Sequence, residues 1–440
     1  MTATDIIRIP PGTVLTGSVT PPGAKSGTVR GLLCGTLAAG MTTITNAGSG
    51  DNVRAMAAAC RQLGAQISEH DERTWSVHGL DHSLPARAVL DAGNSGIVLR
   101  LLTAVGAAME HCTVATRFDR SLGSRGNVEL IDALTVFGAD AAGRGDDACP
   151  PLVVGRGSGL HGGIVPVSGR RSSQFLSGLL FLAPLVGEDV HIVVSDTLSS
   201  APMVGTTVRA LGRAGVQVDV DTDCRCYGIK GGQRYRAADH PVSSDASSVA
   251  GILAAAAAVP GSMVRIDSSA GNDLGSSAMI AALRKMGVPI DEEGDTLVCR
   301  GADEVEPIDI DGSACPDSIL PLAALACFAK GTSVISNVET LRFKECDRIS
   351  DFCLELTAAG VHVEERRDAI IVHGTGTVPG GAEVFAHHDH SVVMAMAVVA
   401  LRSRDGLAIR GHQSVGQTYP GFFDDLQYLS GQSFPTSDPS

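Results

Sequence analysis

Three short clusters hold the side chains best suited to chemistry. Lys25, Ser26 and Arg30 are spaced so that, on a helix beginning near residue 25, Lys25 lies at the mouth and Arg30 about one turn further in, within reach of the same anion. Gly169-Arg-Arg-Ser-Ser-Gln174 puts two hydroxyls, an amide and two cations at another mouth. That set resembles phosphate recognition, and a solvated Arg170-Arg171 pair is the alternative reading. Lys344-Glu-Cys-Asp-Arg348 packs four charged groups into five residues. On a helix start, Lys344 and Arg348 would share a face at i,i+4, with Glu345 directed elsewhere; a solvated surface turn is the other option.

The elements that must position these residues repeat along the chain. Six segments begin with a small polar or acidic residue, run through an Ala/Leu/Val-rich stretch of helical length, reach a Gly or polar break and end in a β-branched strand. They start at Lys25, Asn94, Ser172, Asp245, Asp317 and Asp389, roughly seventy residues apart. Second helices lie between them and end in similar phrases, such as Ala59-Cys-Arg-Gln-Leu-Gly-Ala and Ala282-Leu-Arg-Lys-Met-Gly-Val, where Gly supplies the left-handed residue that closes a helix. The repeated helix is apolar on nearly every side, so strands and other helices must bury it. Six such helices imply two pseudo-threefold domains. Ser, Asn and Asp at the starts are good caps, and first-turn N–H groups carry a positive dipole end; if those ends converge, they form an anion site.

Composition narrows the function. The 440 residues carry 34 basic and 48 acidic side chains, a net charge of −14, with no Lys/Arg run, so nucleic acid is an unsuitable partner. An apolar fraction of 44% with 19% charged residues describes a globular chain of two or three domains. No uninterrupted apolar stretch is long enough to cross a bilayer, and Met1-Thr-Ala-Thr-Asp-Ile-Ile-Arg lacks a basic flank leading into an apolar core; the expectation is a cytoplasmic protein. The 11 cysteines are scattered, with Cys34, Cys327 and Cys353 inside apolar runs, as reduced structural thiols would be; no Cys-x-x-Cys points to zinc.

The motifs Pro22-Gly-Ala-Lys-Ser26, Gly93-Asn-Ser-Gly96, Ser172-Ser-Gln-Phe-Leu, Pro316-Asp317, Lys344-Glu-Cys-Asp-Arg348 and Asp389-His390, in this order, resemble those of the 5-enolpyruvylshikimate 3-phosphate (EPSP) synthase family. The likeness runs from about residue 10 to residue 430 and fits that family better than the related UDP-N-acetylglucosamine enolpyruvyl transferases. It implies an α/β fold: two inside-out α/β barrel domains, each of three βαβαββ units, closing on substrate like a clamp. One lobe would span residues 22–240 and the other residues 1–21 plus 241–430, with a flexible tail at 431–440.

The resemblance also implies roles. Shikimate 3-phosphate would be held by Ser26, Arg30, Ser172, Ser173, Gln174, Ser200, Asp317 and Lys344. Phosphoenolpyruvate would be held by Lys25, Gly96, Arg125, Gln174 and Arg348. Glu345 would transfer the proton at the methylene carbon, Asp317 would serve the acceptor hydroxyl, and Lys25 would serve both proton traffic and phosphate charge. No metal or organic cofactor is implied, and the expected state is a monomer acting on small molecules. Four positions depart from the family pattern: Met203 stands for a tyrosine, Thr340 for an asparagine, Ser391 for an arginine and Gln417 for a lysine. Each lost partner of a desolvated charge costs about 2–5 kcal/mol, so donor binding weakens unless Arg170, Arg171, Arg120 or His390 substitutes. Three functions therefore stand open: carboxyvinyl transfer to shikimate 3-phosphate or an analogue, a lyase that eliminates phosphate from shikimate 3-phosphate without phosphoenolpyruvate, and a non-catalytic phosphometabolite-binding protein.

Overall fold

The computed structural model describes residues 5–267 and 274–437. The chain divides into two compact units: Gly23–Val242, the inserted unit, and Met1–Pro22 with Ser243–Ser440, the discontinuous unit. The inserted unit contains helices α1 (Lys25–Leu37), α2 (Asp51–Leu63), α3 (Gly96–Gly106), α4 (Val128–Val136), α5 (Ser173–Val186) and α6 (Ala201–Arg213). The discontinuous unit contains α7 (Ala246–Ala258), α8 (Leu274–Lys285), α9 (Ile319–Ala326), α10 (Arg348–Ala358), α11 (His390–Arg402) and α12 (Phe422–Ser430).

The odd-numbered helices are the six repeated ones, and their lack of a polar face decides where they go. Every residue of α3 and of α9 is buried, as are residues 247–258 of α7 and 390–401 of α11. Such helices have no side to offer water and must lie inside, with sheets outside them. In contrast, α2 buries one stripe, including Val53, Met56, Ala57, Cys60 and Leu63, and exposes Arg54 and Arg61. The glycines that follow α2, α4, α6, α8 and α10 all have φ between 81° and 112°, the left-handed turn that the repeated phrases predict. A sixth outer helix, α12, lacks that Ala-Leu-Gly phrase; it is built on Phe422, Phe423, Leu426 and Leu429.

Among the described residues, six four-stranded sheets share one order, in which a parallel pair is followed by two antiparallel partners. In the inserted unit, for example, Arg87–Asp91 runs parallel to His111–Ala115, which pairs antiparallel with Cys149–Gly155, and that strand with Asp140–Arg144. Together with the buried central helices, this gives two inside-out α/β barrels of three βαβαββ repeats. The central helices approach closely: a Cβ on Gly178 of α5 would lie 3.0 Å from the Arg100 carbonyl oxygen of α3. Glycine there brings the N-terminal ends of α3 and α5 together.

Cys34, Cys327 and Cys353 are buried free thiols. No described helix is long and apolar enough to cross a membrane.

The tail is a correction. Small, polar, proline-containing residues suggested fraying from 431 onward, yet Thr436–Ser437 pairs with Ile7 and Ile6, and the Arg8 amide donates to the Pro435 carbonyl at 2.9 Å. The reason is Phe434, 5% exposed and packed in the core of the discontinuous unit, which anchors the segment beyond α12. Residues 438–440 lie outside the described residues. Phe434→Ala should lower unfolding stability by about 3 kcal/mol in denaturant titration. No measurable loss would mean that the tail does not hold in solution.

Candidate active site

In the inserted unit the expected residues gather at the helix mouths. Lys25 and Ser26 open α1 and are half-buried, and Ala24 provides no side-chain cap. Arg30, 1% exposed, does reach back one turn: its Nη1 donates to the Ser26 carbonyl at 2.9 Å. Two further bonds are structural, from Nε to Thr207 Oγ1 at 2.8 Å and from Nη2 to the Met203 carbonyl at 3.2 Å. Burial pulls its pKa down to about 10, which still leaves it a cation at neutral pH.

The ends of α3 and α5 meet at Gly96. A Cβ built there would lie 3.2 Å from Gln174 Oε1, 3.3 Å from Arg125 Nη1 and 3.4 Å from Arg100 Nη1. Three polar groups from two helices and a loop therefore converge at Gly96, where a side chain would press on their ends. Ser172 caps α5, its hydroxyl accepting from the Gln174 amide at 3.2 Å, and Ser173 is buried behind it. Ser200 precedes α6 with φ 52°, a left-handed serine whose hydroxyl does not cap the helix. Arg100 was not singled out as a site residue in the sequence, and it organises this corner. Its Nη1 donates to Gln174 Oε1 at 2.7 Å and to Ser172 Oγ at 3.1 Å, its Nε donates to Asn127 Oδ1 at 3.0 Å, and its guanidinium lies 4.7 Å over Phe175. Those neutral oxygens fix the orientation of the guanidinium. A lone arginine inside Ile97-Val-Leu-Arg-Leu-Leu was the available signal, since a charge in a buried helix must be satisfied.

In the discontinuous unit the expected geometry needs correcting. Residues 344–347 are not helical; α10 begins at Arg348, capped by Asp347, whose carboxylate accepts from the Ile349 and Ser350 amides. Lys344 is extended and does not share a helix face with Arg348. Glu345 is directed onto Arg348, with its Oε2 2.9 Å from Nη2. Arg348, 2% exposed, also donates from Nε to Asp389 Oδ2 at 2.7 Å and from Nη2 to Asp389 Oδ1 at 3.1 Å. Asp317 lies 3.8 Å from both Lys344 Nζ and Arg348 Nη1. Five groups thus cluster as two cations and three carboxylates. Burial works against the Arg348 cation, and the Asp389 and Glu345 carboxylates more than offset that, so its pKa is driven upward.

Some expected substitutes for the missing cations are engaged elsewhere. Arg171 sits 3.2 Å from Glu129 and 3.7 Å from Asp147. His390 is 1% exposed, 3.7 Å from the Asp389 carboxylate. Arg170 and Arg120 are exposed. Ser391 and Gln417 are buried; the Ser391 amide donates to Asp389 and Gln417 Nε2 to the His388 carbonyl.

The sequence model of EPSP synthase (3-phosphoshikimate 1-carboxyvinyltransferase) matches residues 9–426. The chain belongs to the EPSP synthase family. Among its relatives, a 3-phosphoshikimate 1-carboxyvinyltransferase of Burkholderia pseudomallei is 38% identical over 94% of this chain and 91% of its own. The protein of that name from Deinococcus radiodurans is 34% identical over 98% and 97%. The EPSP synthase of Acinetobacter baumannii superposes with a TM-score of 0.82 at 25% identity, covering 98% of this chain and 99% of its own. The enolpyruvyl transferase NikO of Streptomyces tendae, at 19% identity and a TM-score of 0.78, shares the fold over the full length of both chains.

Within this EPSP synthase family member, the Arg100 network is open to direct test. Arg100→Met retains an apolar stem over Phe175 and leaves the acceptors on Asn127, Ser172 and Gln174 without that donor, so a loss of about 1–3 kcal/mol in denaturant unfolding is expected. Unchanged stability would show that these bonds hold nothing together.

Proposed function

We propose that this chain transfers the carboxyvinyl group of phosphoenolpyruvate to a hydroxyl of a phosphorylated ring acceptor, shikimate 3-phosphate. The observation that carries the reading is the meeting of Arg125, Arg100 and Gln174 over Gly96 at the mouths of α3 and α5, in a chain of this family. Helix N-termini with fixed cations suit a compact phosphate-bearing anion. Ser172, Ser173, Gln174, Ser26 and Arg30 are assigned to the acceptor, with Ser200 and Lys344. Lys25, Gly96, Arg125 and Arg348 are assigned to the donor.

The chemistry needs an acid, a base and cations on the departing phosphate. The acceptor hydroxyl attacks C2 of phosphoenolpyruvate as C3 gains a proton, giving a tetrahedral adduct. Loss of that proton from C3 then expels phosphate and restores the double bond. Asp317 takes the hydroxyl proton, Glu345 serves C3, and Lys25 meets the phosphate charge. Support for these roles comes from position: Glu345 and Asp317 both flank Arg348, which holds them near one cation.

Incubation with shikimate 3-phosphate, with and without phosphoenolpyruvate, should release phosphate only when both are present, and mass spectrometry should find the carboxyvinyl ether. Phosphate released from shikimate 3-phosphate alone would replace the transferase reading with elimination, and binding without release would replace it with a carrier. Glu345→Gln keeps a polar partner for Arg348 and removes the transferable proton, so kcat should fall about 10²–10⁴-fold. A kcat within a few-fold of wild type would remove Glu345 from proton transfer.

A further inference from the structure

The turn before α11 contains two consecutive non-glycine residues in the left-handed region, His387 (φ 49°) and His388 (φ 57°). Side chains rarely adopt that conformation, and two in a row persist only when neighbours impose it. Here α10 does so. His387 Nε2 lies 2.6 Å from Glu355 Oε1 and Nδ1 lies 3.4 Å from Asp351 Oδ1, two carboxylates one turn apart on α10. Glu355 is itself anchored, its second oxygen accepting from the Phe385 amide at 2.9 Å, and the Phe385 ring packs 4.8 Å from the imidazole. On the other side of the turn, the His388 carbonyl accepts from Gln417 Nε2 at 2.7 Å. The next residue is Asp389, which is wholly buried, caps α11 and grips Arg348.

We propose that His387 is a positioning residue whose imidazolium, clasped by Asp351 and Glu355, locks the left-handed turn that sets Asp389 and, through it, Arg348. A neutral imidazole has one N–H and can donate to one carboxylate; the protonated ring donates to both. The functional consequence rests on the reading that Arg348 contacts the donor anion.

The groups facing His387 are Asp351 and Glu355 from α10 and Asp389 from the mouth of α11, with the Cys346 thiol close to Asp389. Arg410, from the strand Leu407–Arg410, lies 5.1 Å over the Phe385 ring. Burial pulls the His387 pKa down, but the Glu355 bond and the charges of Asp351, Glu355 and Asp389 outweigh it and leave the pKa above the ordinary 6.5. A raised folded-state pKa means that the clasp is complete below 6.5 and is lost as pH rises through the folded value.

The test combines kinetics with a readout that needs no turnover. In the wild-type protein the KM for phosphoenolpyruvate should climb as pH rises from 6.5 through the folded-state value, with kcat changing less. His387→Asn, a residue that tolerates the left-handed turn, should raise that KM about tenfold at the lower pH and flatten its pH dependence. His387→Lys, which keeps a cation through this range, should hold the KM low at the higher pH. In labelled wild-type protein, nuclear magnetic resonance should show His387 titrating above 6.5, with the amides of Asp389 and Ser391 shifting in step. A wild-type pH profile in His387→Asn, or a His387 that titrates at or below 6.5, overturns the positioning role. Absence of turnover by the wild type at every pH would instead sink the transferase reading, and the resonance titration still decides the clasp.

Discussion

A helix buried on every side still ends in backbone N–H groups that its own residues cannot satisfy, and this constraint organises both units. The apolar runs of α3, α5, α9 and α11 force these helices inside, which draws their polar ends into the interior as well. Side chains must then meet those ends. Ser95, Ser172, Asp245 and Asp389 do so directly, each accepting from a first-turn amide. The binding chemistry is a by-product of this requirement: buried ends that attract anions need cations and acceptors placed with precision, and the packing that buries the helices also fixes those groups.

The two units hold their buried arginines through different partners. In the inserted unit, Arg100 donates to Asn127, Ser172 and Gln174 beside Gly96. In the discontinuous unit, Arg348 is surrounded by Asp389, Glu345 and Asp317, and its charge is offset. The second arrangement places two carboxylates, Glu345 and Asp317, beside the cation assigned to the donor. The carboxylate pair with Arg348 is also a structural commitment, because removing one partner of a buried ion pair strands the other at a cost of about 3–5 kcal/mol. Ser391 and Gln417 border this second arrangement, through the Asp389 carboxylate and the His388 carbonyl.

Much of the architecture was legible in the sequence because it is periodic. Six apolar helices, the strands after them and the glycines that end the outer helices all follow from spacing and residue type. The starts expected at Lys25, Asn94 and Ser172 lie within two residues of the helices found at Lys25, Gly96 and Ser173. What was illegible depends on contacts between distant segments. Arg100 looked like part of an apolar run, and only the approach of α5 reveals that it holds Ser172 and Gln174. Glu345 was expected to point away because a helix was assumed at 344; Asp347 caps α10 one residue before Arg348 and so leaves Glu345 in the bend that precedes the helix. The tail looked polar, and one phenylalanine decided otherwise.

The sheet that pairs Ile6–Ile9 with Leu407–Arg410 and Thr436–Ser437 has a consequence for biosynthesis. All the strands and helices of the inserted unit lie between residues 23 and 242, so that unit can assemble on the ribosome while the rest of the chain is still being made. The first strand has no such opportunity, because the partner of Ile6 is Arg410, about 400 residues later. An apolar strand bearing Ile6, Ile7 and Ile9 therefore waits for its partners through most of translation.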